Sequence, residues 1–509
     1  MSTEFQLTVR PTSYTIYPGK EACEKMRTLL YLLEFEDEYN ETLVQLGYLL
    51  DEKTDKLYLH KGVAIDYIRR LLGNLRVKYQ KPDPAKEMKF EYDEIVAPRN
   101  NEQVDVINFI AGLHQHASNI EENQIFLVKN PGFGKSYCSG VGMCLYHKKA
   151  LIIMHRDSLR SQWYESLYKM IGLTDNDVHK IESSKELYDI AHGYDPGYDV
   201  YLMTHATFRA GLKLIRSFEK ASNITKVLGI GMKIIDEAHL EFRDTLIMDY
   251  IFNVKRNLYL TATDGRSSKE ENRIFKYAFE NTKFYKPSSL LTDSLPKKWV
   301  EYNVVAINTH AKASTVKYKI EGFRGMSAVS YGKFCIQIDK NHTHFKCCRD
   351  ILKMVFERDP TSKVLIFLPL IDLCTEATYF FIKSLNYDKD FPYDLNIKTI
   401  NSHNSKQENE ENRRADVIVT TVGSCGTGTD IPGITTIISC TPIVSKVNAR
   451  QIFGRIRYCG KPCYYYDIYD ESVKMDKIWL KVRAKVYSPL ATKTNYISWE
   501  DDDHENPNT

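Results

Sequence analysis

The sequence predicts an α/β protein, with two parallel-sheet domains in series behind a small α+β domain. Two observations predict it. From Gln124 onward short apolar runs alternate with amphipathic helical stretches, in two blocks separated by a stretch without a clean period. Between the first run and the helical stretch after it stands a glycine-bearing turn ending in Lys135-Ser136, a pattern that belongs at a strand-to-helix junction.

Composition narrows the class. The 509 residues are 43% hydrophobic and 27% charged, an ordinary globular balance that excludes disordered and collagen-like chains. Length suggests roughly three domains at about 150 residues each. The net charge of +3 neither supports nor excludes a polyanionic partner. Eleven cysteines, odd in number and without a CxxC pair, read as a reduced, intracellular chain with no zinc site. The opening MSTEFQLTVRPTSY lacks the apolar core of a signal peptide. No apolar run approaches the ~20 residues that a membrane helix needs. A soluble, cytosolic protein without a membrane partner is the expectation.

Residues 1 to about 90 carry no phosphate or catalytic motif. They mix helical periodicity over 22–33 with β-like pieces such as Lys56-Leu57-Tyr58-Leu59. The apolar runs of the first block fall at 125–128, 151–154, 200–203, 233–235 and 258–260. Alternation of such runs with helices argues for βαβ units and a sheet covered on both faces. The pattern fades between about 265 and 360, then resumes at 364–368, 417–420, 436–439 and 464–468. The expected division is an accessory domain over 1–92, a first α/β domain over 93–290, a connecting segment over 291–345, a second α/β domain over 346–490, and an acidic disordered tail over 491–509.

The first chemical motif is Asn130-Pro131-Gly132-Phe133-Gly134-Lys135-Ser136. Glycine lets backbone wrap closely around a phosphate, and the N–H groups of the turn and helix start then face the anion. Lys135 is placed to reach the β and γ phosphates, and the Ser136 hydroxyl to ligate Mg²⁺. The pattern departs from the general Walker loop at Lys129, where a glycine is usual. The second motif is Asp236-Glu237-Ala238-His239, at the end of the apolar run 233–235. Parallel sheets carry their sites beyond the carboxyl ends of strands, so this pair is expected beside the phosphate loop. Asp236 would hold Mg²⁺ and Glu237 would orient the attacking water.

These motifs, in this order, resemble superfamily-two helicases of the DEAH-box type. Leu260-Thr261-Ala262-Thr263 is similar to the motif that couples nucleotide state to nucleic-acid grip, with Thr261, Thr263 and His239 as the coupling residues. The stretch 154–163 resembles the first nucleic-acid motif. The run 417–432, with Thr420, Thr421, Gly426, Gly428 and Asp430, resembles the fifth. Gln451-Ile452-Phe453-Gly454-Arg455-Ile456-Arg457 resembles the Gln-x-x-Gly-Arg signature, and Pro98-Arg99 with Gln103 the adenine-reading motif. The resemblance covers roughly residues 95 to 470. It implies two tandem RecA-like P-loop domains with ATP in the cleft between them, Mg²⁺ as cofactor, and DNA or RNA as partner. It implies nucleotide contacts from Gln103, residues 130–136 and Asp430, and catalytic roles for Lys135, Asp236, Glu237 and Gln451. Arg455 and Arg457 are the alternatives for an arginine finger, because the usual second arginine position holds Tyr458. Arg156, Thr204 and Thr421 are the implied nucleic-acid contacts. Thr420 is an alternative to Thr421, and capped helix ends or strand termini are their structural alternatives.

The Leu-Thr-Ala-Thr form, Gln162-Trp163 and the stretch 57–62 resemble the helicases of large cytoplasmic DNA viruses, of the asfarvirus kind and similar to the poxvirus transcript-release helicase. That resemblance implies work in viral transcription or replication, with viral transcription machinery as a partner and the host cytoplasm or the virion as location. Three functions compete. The first is an ATP-dependent helicase or translocase. The second is a nucleic-acid-stimulated ATPase switch that remodels a transcription complex without strand separation. The third, a structural component with a vestigial motor, is disfavoured by the presence of Lys135, Asp236, Glu237 and Arg455 together. His155, His205 and His403 stand in no cluster that would hold a metal.

Overall fold

The computed structural model describes residues 4–37, 42–45, 47–113, 124–129, 133–238, 240–261, 269–279, 283–285, 299–321, 326–425, 431–443, 446–456 and 460–500. The chain folds as two compact units, Met1–Ser288 and Ser289–Thr509.

The first unit opens with a small α+β domain. Its sheet runs in the order Tyr48–Asp51, Lys56–His60, Ser13–Tyr17, Phe5–Val9, Leu75–Tyr79; the neighbours are antiparallel except for the last pair. Phe5, Leu7 and Val9 are buried and Gln6 is exposed, the period-2 signature of a strand with one covered face. Helices Gly19–Lys25 and Ile65–Leu72 contribute Ala22, Ile68 and Leu72 to the same core.

Behind it lies a seven-stranded parallel sheet, ordered Val178–Lys180, Val200–Thr204, Ala150–Met154, Met232–Ile235, Arg256–Thr261, Gln124–Val128, Lys283–Tyr285. Its strands read as unbroken apolar runs because both faces are covered. Alternate residues serve opposite cores. Leu151, Ile153 and Ile235 pack into one, and Ala150, Ile152, Met154 and Ile234 into the other.

The second unit carries another seven-stranded parallel sheet, ordered Ile397–Ile400, Val417–Thr420, Val364–Phe367, Thr436–Ser439, Cys463–Asp470, Val300–Ile307, Lys493–Ser498. Numbered along the chain, both sheets have the order 3-4-2-5-6-1-7. The protein is therefore two tandem RecA-like domains preceded by a small accessory domain.

This sheet redraws two boundaries expected from sequence. The sequence places Val300–Ile307 in a connecting segment, yet it is hydrogen-bonded between Cys463–Asp470 and Lys493–Ser498. Six of its eight residues are buried, so no polar alternation marked it as a strand. The sequence places Lys493–Ser498 in the disordered tail, yet it is an edge strand. Its half-exposed, polar sequence KTNYIS hid it. The remainder of the expected tail, 501–509, lies outside the described residues.

The accessory domain is joined to the first large sheet by buried polar groups. Thr12 Oγ1 donates to the Asp249 carbonyl at 2.6 Å, and Arg10 donates to the carbonyls of Tyr250 and Ile251. His60 Nε2 lies 3.0 Å from Asp249 Oδ2. Gly62 passes so close to the helix Lys269–Phe279 that a Cβ there would stand 1.8 Å from the Tyr277 carbonyl oxygen. Among the described residues no helix is long and apolar enough to cross a membrane.

Candidate nucleotide site

The helix Asn101–Ala111 starts at Asn100, whose side chain accepts from the Gln103 N–H at 3.0 Å, the N-cap arrangement. Gln103 is thereby aimed at the phosphate loop. Its Nε2 donates to the Phe133 carbonyl at 2.6 Å, and its Oε1 accepts from the Arg99 N–H at 2.7 Å. Gly134 follows with φ +94°, and a Cβ there would lie 2.7 Å from Gln103 Nε2. Both the left-handed backbone and the close approach require glycine. The helix Lys135–Tyr146 begins at the next residue, with Ser136 second in it and Cys138 N–H bonded to the Gly134 carbonyl. Asn130, Pro131 and Gly132 lie outside the described residues.

Lys129, the departure from the Walker pattern, is buried. Its ammonium pairs with Glu102 and stands 4.8 Å from the centre of the Phe133 ring. Its carbonyl accepts from Lys135 Nζ at 3.0 Å. A glycine could not supply that ammonium, so Lys129 ties the loop to the helix that carries Gln103.

The acidic pair sits at the carboxyl end of Met232–Ile235. Asp236 is buried, and its Oδ2 accepts from the Trp163 indole N–H at 2.8 Å. Its Oδ1 accepts from the Glu237 N–H at 3.0 Å, and Glu237 itself holds φ +50°. A non-glycine residue in that region is uncommon and costs of order 1 kcal/mol, a cost often met at working sites. The strand Arg256–Thr261 lies between the strands bearing the two motifs and bonds to both. The Lys129 N–H donates to the Thr261 carbonyl at 3.1 Å, and the Ala238 N–H to the Leu260 carbonyl at 2.9 Å. Leu260-Thr261 thus joins the phosphate loop to the acidic turn through main chain. His239 and Thr263 lie outside the described residues.

Burial and the neighbouring Glu237 push the Asp236 carboxyl up to about 6, while Trp163 and the Lys135 ammonium act in the opposite direction. The chemistry fits Mg²⁺ and a triphosphate: a glycine cradle at a helix start, a lysine, a hydroxyl, and buried Asp236 beside half-buried Glu237, whose mutual repulsion a cation would relieve. A cation ligand must be ionised, so hydrolysis is expected to fall as pH drops through about 6. Because Mg²⁺ and the proton compete for one carboxylate, raising Mg²⁺ should move that acid limb to lower pH. Profiles of kcat/KM for ATP against pH at two magnesium concentrations check this. A limb that ignored magnesium would remove Asp236 from the site.

The expected nucleic-acid contacts are distributed over both units. Arg156 is the N-cap residue of the helix Asp157–Ser166. Thr204 caps His205–Ile215, accepting from the Thr207 N–H at 3.1 Å. In the second unit, Thr420 is fully buried and its hydroxyl donates to the Ile400 carbonyl at 2.6 Å. Thr421 Oγ1 accepts from the Ser424 N–H at 3.1 Å. Thr421 also lines a groove of about 520 Å³ with Leu370, Asp372, His403, Gly423 and Thr441, at the carboxyl ends of four strands. Gln451 lies on the helix Lys446–Phe453 and half-buried Arg455 follows its end. Arg457 and Asp430 lie outside the described residues.

Sequence reasoning misses two partners and two groove-lining residues. Trp163, in sequence only a family mark, holds Asp236. Glu102 neutralises Lys129, and Asp372 and His403 line the groove. The adjacency of Gln103 to Glu102 was the one available signal for the second.

Residues 96–266 match the family model described as type III restriction enzyme, res subunit. No curated protein matches the chain by sequence. Among solved structures, the fragment of a putative HsdR subunit of a type I restriction enzyme from Vibrio vulnificus YJ016 has a TM-score of 0.52 at 14% identity, covering 94% of this chain and 82% of that one. S. cerevisiae Dbp5 bound to RNA and ADP BeF3 has a TM-score of 0.48 at 13% identity, covering 74% and 85%. The Pyrococcus furiosus Hef helicase domain has 0.44 at 13%, covering 76% and 100%. Residues 96–266 thus carry a domain matching the type III restriction enzyme, res subunit family, and the chain shares its fold with the HsdR fragment.

Proposed function

We propose that this protein is an ATP-dependent nucleic-acid helicase or translocase. One observation carries the reading. The phosphate loop with Lys135 and the acidic turn with Asp236 and Glu237 are bonded to the same strand, Arg256–Thr261, within the stretch that matches the res-subunit family. Lys135 would neutralise the β and γ phosphates, Ser136 and Asp236 would hold Mg²⁺, and Glu237 would orient water. When bound, the metal supplies charge neutralisation on the transferring phosphoryl group. Gln103 acts on the nucleotide by fixing the loop through Phe133, and Trp163 by fixing Asp236. Gln451, Arg455 and Arg457 keep the roles that the helicase resemblance implies. Arg156, Thr204 and Thr421 are proposed to meet nucleic-acid phosphate at strand ends, where hydroxyls, N–H groups and cations serve.

The finer reading is work in the transcription or replication of a large cytoplasmic DNA virus. It rests on the resemblance of Leu260-Thr261-Ala262-Thr263 and Gln162-Trp163. The test is ATP hydrolysis with single-stranded DNA, duplex DNA and RNA, alongside strand separation on forked duplexes. Stimulated hydrolysis with unwinding is expected. Stimulation without unwinding on any substrate would select the ATPase switch, and hydrolysis indifferent to all nucleic acid would sink both.

A further inference from the structure

Because the two large sheets share one strand order, positions in the second unit have counterparts in the first. The phosphate loop follows the first strand of the first sheet. The same position in the second is held by residues 308–342, between Val300–Ile307 and the helix Thr343–Arg358. This stretch contains no Gly-Lys-Ser or Gly-Lys-Thr. It is nonetheless built onto the unit. Val316, Ile320, Met326, Tyr331, Cys335 and Ile336 are buried in one core, and Ser330 Oγ donates to the Ile320 carbonyl at 2.9 Å, joining two helical turns.

Among the described residues of this stretch the exposed lysines have no exposed carboxylate beside them. Lys312, Lys317, Lys319, Lys333 and Lys340 are all exposed, and Tyr318 between two of them is 71% exposed. Asp339 is engaged in capping, its carboxylate accepting from the Asn341 and Thr343 N–H groups at 3.0 and 2.8 Å. The stretch also abuts the groove at the strand ends. Ala328 lines it, and a Cβ at Gly332 would stand 2.9 Å from Pro369 and Leu370 side-chain atoms. A cation–aromatic–cation run beside a groove carrying the hydroxyls of Thr421 and Thr441 matches a polymer that offers both phosphates and base faces. An acidic peptide offers no base to stack on Tyr318.

We propose that residues 308–321 and 326–342 form a grip on single-stranded nucleic acid, with the five lysines against its phosphodiester backbone and Tyr318 against a base. The inference rests on the helicase reading and adds a site to it. The test uses the full chain with Lys312, Lys317, Lys319, Lys333 and Lys340 all changed to Gln. Binding of labelled oligo(dT) and oligo(U) is measured across a salt series, with ATP hydrolysis in the absence of nucleic acid as control. Basal turnover should stay at the parent rate. The slope of log affinity against log salt should flatten by about 0.7 for each lysine that meets a phosphate, up to about 3.5 in all. Tyr318→Ala should weaken binding several-fold and leave the slope alone. The DNA and RNA arms identify which strand the grip prefers. If the five-fold variant loses basal turnover, the paired variants Lys317→Gln/Lys319→Gln and Lys333→Gln/Lys340→Gln are measured instead, each expected to flatten the slope by about 1.4. Unchanged slopes in a parent that binds would overturn the grip and leave the helicase reading standing. A parent that binds neither oligonucleotide would remove both.

Discussion

Lys135→Ala is expected to lower ATP turnover by at least about 10²–10³-fold, the loss that follows removal of one preorganised electrostatic contact to a reacting group. The fold should survive. Lys135 is half-buried at the first position of its helix, and its ammonium donates to the Lys129 carbonyl. Alanine is the best helix former, so the helix Lys135–Tyr146 gains rather than loses intrinsic preference. Steady-state hydrolysis and thermal unfolding of the same preparation check both halves. Turnover near the parent rate would show that this loop does not hold the triphosphate.

Asp249→Ala is expected to destabilise the first unit by about 3–5 kcal/mol, the cost of stranding a buried charge. Asp249 is fully buried and accepts from Lys233, from His60 at 3.0 Å and from the Tyr259 hydroxyl at 2.9 and 2.8 Å. Gln124 Nε2 lies 3.1 Å from the same His60 nitrogen. Burial alone would raise the Asp249 carboxyl, and Lys233 and His60 bring it below its ordinary value instead. Removing the carboxylate leaves the Lys233 ammonium without its counter-charge in a dry interior. Replacing both members, Lys233→Met with Asp249→Leu, should recover much of the loss, because apolar groups of similar size need no partner. Denaturant unfolding of the two variants and the parent measures the difference. A single-variant loss under about 1 kcal/mol would mean that water reaches the cluster. Lys233, Tyr259 and Gln124 lie on the strands of the acidic turn, the coupling motif and the phosphate loop, and His60 belongs to the accessory domain. The cluster therefore fixes three site-bearing strands against one another.

Apolar runs and motifs by themselves determined that this is an α/β chain with a glycine-bearing turn before the helix at Lys135 and an acidic pair at the end of a strand at Asp236. They could do so because strands covered on both faces must be apolar throughout, and because wrapping a phosphate demands glycine, lysine and hydroxyl at fixed spacing. The tertiary structure alone decided that Val300–Ile307 and Lys493–Ser498 belong to the second sheet. One strand is too uniformly buried to show a period, and the other too polar to resemble a strand. It alone decided that Gln103 holds the Phe133 carbonyl, that Trp163 holds Asp236, and that Lys129 replaces a glycine by pairing with Glu102. The Trp163–Asp236 and His60–Asp249 partnerships join residues far apart in the chain, and Lys129 takes its partner from a separate helix. Whether a buried carboxylate finds its donor is settled by packing across elements, which no local pattern of residues encodes.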